Sequence, residues 1–281
     1  MAILRKVLDR VPTYPGRVTL TPVAGQENTF DMVRADQPVE VGTPINKVLM
    51  DQKANTLTQN VTVYVSTTGS NTTGDGTSTK PYATINRALQ DLPKYLGGYT
   101  ATINVAAGTY LDPVTISGFS GGTLKVGVGA SQAVSLVGID VIDSTGVQLL
   151  IPRVSTVSTG GRVVMVDIRN SSVEIPVNMT VSTASGADKT GIAVRGGSTL
   201  RANSSVLTIT GPAREAVLVT GGSKASFYAV NGSVTGWRFA ATFGSEIRFG
   251  TSTMTSGKGD GYSWGSNITS GQGNYVESGV G

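Results

Sequence analysis

The chain has 281 residues and contains no cysteine and no histidine. Without them there is no thiolate nucleophile, no Cys/His zinc site, no haem histidine and no Ser-His-Asp or Cys-His group. Carboxylates, lysine, tyrosine, serine and threonine are the catalysts that remain. Disulfides contribute nothing to the fold, and the redox compartment stays open. Charge is scarce as well: 14% of residues are charged, against roughly 25% in an ordinary globular domain. The net charge of +4 comes from basic residues scattered singly, with no basic cluster interleaved with aromatics, so no nucleic-acid partner is expected. No apolar run reaches the roughly 18 residues of a membrane span. The opening MAILRKVLDR carries Arg5, Lys6, Asp9 and Arg10 where a signal peptide would have its apolar stretch, so no secretory signal is expected. Neither a cofactor nor a metal site is expected.

What the chain has in excess is glycine, 37 residues, together with serine, threonine and asparagine, the residues of tight turns. Charge is uneven. Residues 1–60 carry thirteen charged side chains and residues 61–281 carry twenty-seven, so the first segment is a separate unit by composition. Within it GRVTLTPV (16–23) and TFDMVRA (29–35) alternate in the manner of strands, and Gly25–Asn28 allows them to form a hairpin. Thr43 then caps a short helix with Pro44 at its first position and Ile45, Val48 and Leu49 on one face. A hairpin and one short helix bury too little to stand alone, so residues 1–60 are expected to be an adaptor that docks on something else. Later in the chain, Thr84 caps a second helix near 84–92, with Ile85, Ala88, Leu89 and Leu92 on one face.

Beyond that helix the sequence repeats. TLKVG (from 123), GVQLLI (146), SVEIPV (172), TLRANS (199), KASFYA (224) and EIRFGT (246) share a polar turn followed by a strand whose second and fourth residues are apolar. Their starts lie 23, 26, 27, 25 and 22 residues apart. A period of this length, holding two or three short strands and no helix, is one coil of a parallel β-helix. Stacking at about 4.8 Å would make inward columns of Leu124/Val126, Val147/Leu149, Val173/Ile175, Leu200/Ala202, Ala225/Phe227 and Ile247/Phe249. Lys125, Gln148, Glu174, Arg201, Ser226 and Arg248 would form a polar outward column, with Glu174 and Arg201 as a cross-rung pair. An antiparallel sandwich shares the frequent turns but not the register of about 25 residues. The expected architecture is all-β: a right-handed parallel β-helix over 61–256 with its capping helix, preceded by the adaptor and followed by a C-terminal tip at 257–281.

Two stretches carry a resemblance. VYVSTTGSNTTGDGTSTKPYATINRALQDLP (63–93) resembles the start of the β-helix in phage tail spikes and related pectate-lyase-like proteins. Residues 9–52, with Gly42-Thr43-Pro44-Ile45-Asn46, look like the N-terminal attachment region of tail and baseplate-associated proteins in phages and phage-like particles of Gram-positive hosts. The resemblance implies a homotrimer on a virion tail or phage-like particle. Residues 1–60 would hold tail or baseplate proteins through Tyr14, Pro15, Phe30, Met32, Thr43, Pro44, Ile45 and Leu49, and the far end would face a host-surface polysaccharide. Spikes of this kind often cleave such polysaccharide.

Asp140 and Asp167 are the carboxylates to weigh for that chemistry. They lie 27 residues apart, one coil, and stacking would bring them to about the 5 Å that a retaining glycosidase requires. Asp143 and Asn170 stand in the same relation, so a ladder of Asp/Asn turns or a weak cation site fits equally. Tyr262, Trp264 and Tyr275, in a Gly/Ser/Asn background, have the composition of an aromatic glycan-binding surface or of apolar cover for the last coil. Trp237, which follows the turn Thr235-Gly236, is a further glycan-binding candidate or a lateral or inter-subunit contact. Gly74-Asp75-Gly76 reads as a turn, since the other ligands of a calcium loop are missing.

Overall fold

The computed structural model describes residues 11–12, 18–22, 24, 30–34, 38–40, 56–128, 134–155, 164–182, 189–211, 214–258 and 261–270. The chain divides into two compact units, residues 2–54 and residues 55–281. In the first, Val18–Pro22 and Phe30–Arg34 form the expected antiparallel hairpin, with Leu20 opposite Met32 and Pro22 opposite Phe30. A second antiparallel pair, Val11–Pro12 with Pro38–Glu40, flanks the hairpin in sequence and was not foreseen. The expected helix near Thr43–Leu49 lies outside the described residues, as do Tyr14 and Pro15.

The second unit is a right-handed parallel β-helix of about six turns. From Thr100 on, the coils lay strands on three faces, whereas the first coil carries only Val61–Val65 and a helix. Val61–Val65, Thr100–Val105, Thr123–Val128, Val147–Leu149 and Ser172–Glu174 stack on the first face, followed by the starts of the long strands Thr199–Thr210, Lys224–Val234 and Glu246–Ser252, and then Asn267–Ser270. Those long strands turn a corner and supply the second face too, above Gly108–Tyr110, Val134–Leu136, Arg153–Ser155 and Met179–Ser182. The third face stacks seven strands, from Val114–Ser117 to Gly261–Trp264.

The repeat read from the sequence is the register of the first face. Leu124, Val147, Val173, Leu200, Ala225 and Ile247 stand in one column, and all are buried. Ile268 adds a further rung. The second column is buried through Phe227, whereas Phe249 is only half-buried and stacks on Phe239 of the third face with ring centroids 4.6 Å apart. The expected outward ion pair is not made. Glu174 and Arg201 do face each other in register, but Glu174 accepts a hydrogen bond from Gln148, 2.7 Å from Nε2 to Oε2, and no ion pair joins it to Arg201.

At the corner between the third and first faces the chain reverses in a left-handed residue on every coil. The position is Gly118, Asp143, Asn170, Gly196, Gly221 and then Phe243, with φ between +49° and +73°. Immediately inside this corner a buried serine ladder runs up the solenoid. The N–H groups of Ser144, Ser171, Ser198, Ser223 and Ser245 each donate to the hydroxyl oxygen of the serine one rung on, at 3.0 to 3.2 Å, ending at Ser266. The hydroxyls of Ser144, Ser171, Ser198 and Ser223 donate back to carbonyls of their own coil. The ladder thus pairs buried N–H groups that would otherwise be stranded at the turn.

The first coil is closed by the helix Ile85–Asp91, whose Thr84 hydroxyl accepts from the Arg87 N–H at 3.2 Å, as the capping motif requires. Its buried residues Ile85, Ala88 and Leu89 cover the solenoid end, against Val61–Val65 and Val114–Ser117. Asn71 locks the helix entrance, accepting from the N–H groups of Ala83 and Thr84 and donating to the Thr84 hydroxyl. No described helix is long and apolar enough to cross a membrane.

Candidate functional site

Asp140 and Asp167 are partners in register on adjacent third-face strands, Ile139–Ile142 and Val164–Arg169. Their neighbours Ile139, Val141, Val166 and Ile168 fill the core, so strand alternation turns both carboxylates outward. Asp167 is nevertheless buried, with 8% of its surface exposed. The two acids belong to a four-charge chain: Arg169 Nη2 lies 4.0 Å from Asp140, Arg169 Nε lies 3.6 Å from Asp167, and Arg195 Nε lies 3.6 Å from Asp167. Two carboxylates engaged by two guanidinium groups form a compensated network, and their closeness is the spacing common to all neighbouring rungs. Next to them, Asn170 Nδ2 donates to Asp143 Oδ1 at 2.7 Å, and both residues have φ of +49°. This is the Asp/Asn turn ladder, since asparagine and aspartate tolerate the left-handed conformation best after glycine.

Among the described residues two open grooves lie on the first face. One groove of about 370 Å³ lies over Thr123, Gln148, Ser172, Glu174 and Arg201. A second, of about 240 Å³, runs from Arg201 across Lys224 and Ser226 to Glu246 and Arg248. Arg201 borders both. Within the second groove Glu246 is held by Arg248 Nε at 2.5 Å and by Lys224 Nζ at 4.0 Å. The sequence reading placed Gln148, Glu174, Arg201, Ser226 and Arg248 in the outward column but missed the grooves, and it did not single out Lys224 or Glu246. The signal was in the column itself: Ser226 stands between Arg201 and Arg248, and a short side chain between two long ones leaves a gap.

The described aromatic candidates of the second unit lie on two adjacent third-face strands. Tyr262 and Trp264 lie on the last third-face strand, in register with Ala240 and Thr242. Trp237 opens the preceding strand, half-buried and in register with Glu215. Tyr275 lies outside the described residues. Phe30 and Met32 are on the hairpin of the first unit. Sequence reasoning also missed Glu215, which is 2% exposed and accepts from the Thr190 hydroxyl at 3.0 Å, with Arg214 Nε 3.3 Å away. No pattern in the sequence marks it.

Three titration shifts belong to the capped end. Burial, then a hydrogen bond donated to Asp91, raise the Tyr82 phenol well above its ordinary range. Arg87 pairs with the same Asp91 and sits 5.0 Å from the Tyr82 ring centroid. Burial pulls the Lys94 ammonium down, and its Nζ lies 3.8 Å from the Phe119 ring centroid. Asp75 is held down by hydrogen bonds from the hydroxyl and N–H of Thr77, and Gly76 has φ of +78°, the geometry of a turn. Among the described residues no three acids gather as metal ligands. Comparison of the chain with protein-family models, with curated proteins and with solved structures finds no match.

Proposed function

We propose that this chain is a structural component of a phage tail or phage-like particle, anchored by residues 1–60 and projecting a trimeric β-helix that attaches to a host-surface glycan. The observation that carries the reading is the first face: a stack of parallel rungs presenting one polar outward column with open grooves along it. A solenoid holds such groups at fixed spacing with little conformational freedom to lose on binding. The motif residues of 63–93 make the strand, turn and capping helix of the solenoid start, which supports the resemblance on its structural side.

Immunogold labelling of particles from the organism that encodes the chain tests the placement; label on the tail is expected, and particles without label refute it. Sedimentation equilibrium is expected to return three times the 28.9 kDa of one chain. Because Asp140 and Asp167 are already engaged by arginines, incubation with host polysaccharide is expected to release no reducing ends. Release that is lost in Asp140→Asn or Asp167→Asn would instead make the protein a depolymerase.

A further inference from the structure

We propose that the first face holds a binding site for an anionic glycan, at the gap that Ser226 leaves between Arg201 and Arg248. The proposal rests on the reading of the solenoid as a host-attachment element and names the class of sugar it takes. Arg201, Ser226 and Arg248 occupy the same outward position on three successive rungs. The two arginine positions are therefore about 10 Å apart, with one short side chain between them. Lys224, 70% exposed in its side chain, stands on the middle rung beside the gap. Three cations thus border a groove whose one carboxylate, Glu246, is taken up by Arg248 and Lys224. Arg201 is exposed and no acid neutralises it, because Glu174, one rung down, is turned to Gln148.

A second observation makes the ligand a sugar rather than a bare anion. Tyr228 lies two residues beyond Ser226, at the corner where the strand passes from the first face to the second, and is 61% exposed. The residue opposite it on the next rung is Gly250, where a Cβ would meet the Tyr228 carbonyl oxygen at 2.6 Å. No side chain therefore shields the phenol from that rung. A phenol beside a cationic gap offers an apolar face for a pyranose ring and charged donors for a carboxylate or sulfate on it.

The test measures affinity of the full chain by biolayer interferometry for polygalacturonate, dextran sulfate, neutral dextran and inorganic polyphosphate. Both anionic glycans are expected to bind, and neutral dextran is not. Arg201→Ala and Lys224→Ala are each expected to weaken binding about tenfold, and Arg201→Lys to restore most of it. Arg153→Ala, the same charge change on the second face, is expected to change nothing. Tyr228→Ala should weaken the glycans but not polyphosphate. Equal binding of neutral dextran, equal loss in Arg153→Ala, or indifference to Tyr228→Ala overturns the proposal. Circular dichroism checks that these variants fold. Cell attachment that survives Arg201→Ala with Lys224→Ala sinks this site but spares the attachment reading. Anionic-glycan binding without cell attachment does the reverse.

Discussion

Ser198 shows how much a single small side chain carries in this fold. Its oxygen accepts from the Ser171 N–H and its hydroxyl donates to the Arg195 carbonyl, all in a dry corner. Ser198→Ala removes both and strands a buried donor, so a loss of about 1–3 kcal/mol is expected in urea denaturation. Phe243 presents the opposite case. It sits at φ +56° with 66% of its surface exposed, where the equivalent corners use Asp, Asn or Gly. A bulky residue there is strained, so Phe243→Asn is expected to stabilise by about 1 kcal/mol, read as a higher Tm. For Tyr82 the folded-state pKa is raised, first by burial and then by Asp91. Its contribution to stability is complete below pH ~10, where both states carry the proton, and is lost as pH rises through the folded-state value. Alkaline melts are expected to show this decline in the native chain and a smaller one in Tyr82→Phe.

At the scale of elements, the capping helix and the corner ladder meet different needs. The helix is only seven residues long, too short to persist without its cap and its buried face. Thr84→Ala is expected to cost about 1 kcal/mol through the lost acceptor for Arg87 N–H. The larger effect should come from Leu89→Ala, about 2–5 kcal/mol, because it opens a cavity over the first coil; thermal melts of the two variants give the order. Both helix features were legible, since Thr84 and the spacing of Ile85, Ala88 and Leu89 state them directly. The serine ladder was half legible. Gly197-Ser198, Gly222-Ser223 and Gly244-Ser245 stand just before three of the repeated strands, as turns do, yet nothing in a linear pattern says that the serine points inward and pairs with the next rung. The groove at Ser226 was half legible too: the outward column already reads Arg201, Ser226, Arg248, but only the stacked coils show the open space that the short side chain leaves between the two arginines.

For the whole molecule, residues 55–281 form a compact unit with its own core and cap, so a fragment beginning there is expected to fold alone and keep the parallel-sheet circular dichroism of the full chain. Aggregation of that fragment under conditions where the full chain is soluble would show instead that residues 1–54 are needed. By itself the sequence determined the coil period, the inward columns and the cap, because burial on one side of a strand imposes an alternation that survives in one dimension. Only the tertiary structure decided which polar groups meet. It paired Glu174 with Gln148 rather than Arg201, joined Asp140 and Asp167 to Arg169 and Arg195, and left Arg201 at the edge of an open groove. Register brings candidates within reach of one another, but long side chains have several partners at similar distance, and the choice among them is settled by rotamer and local geometry in three dimensions.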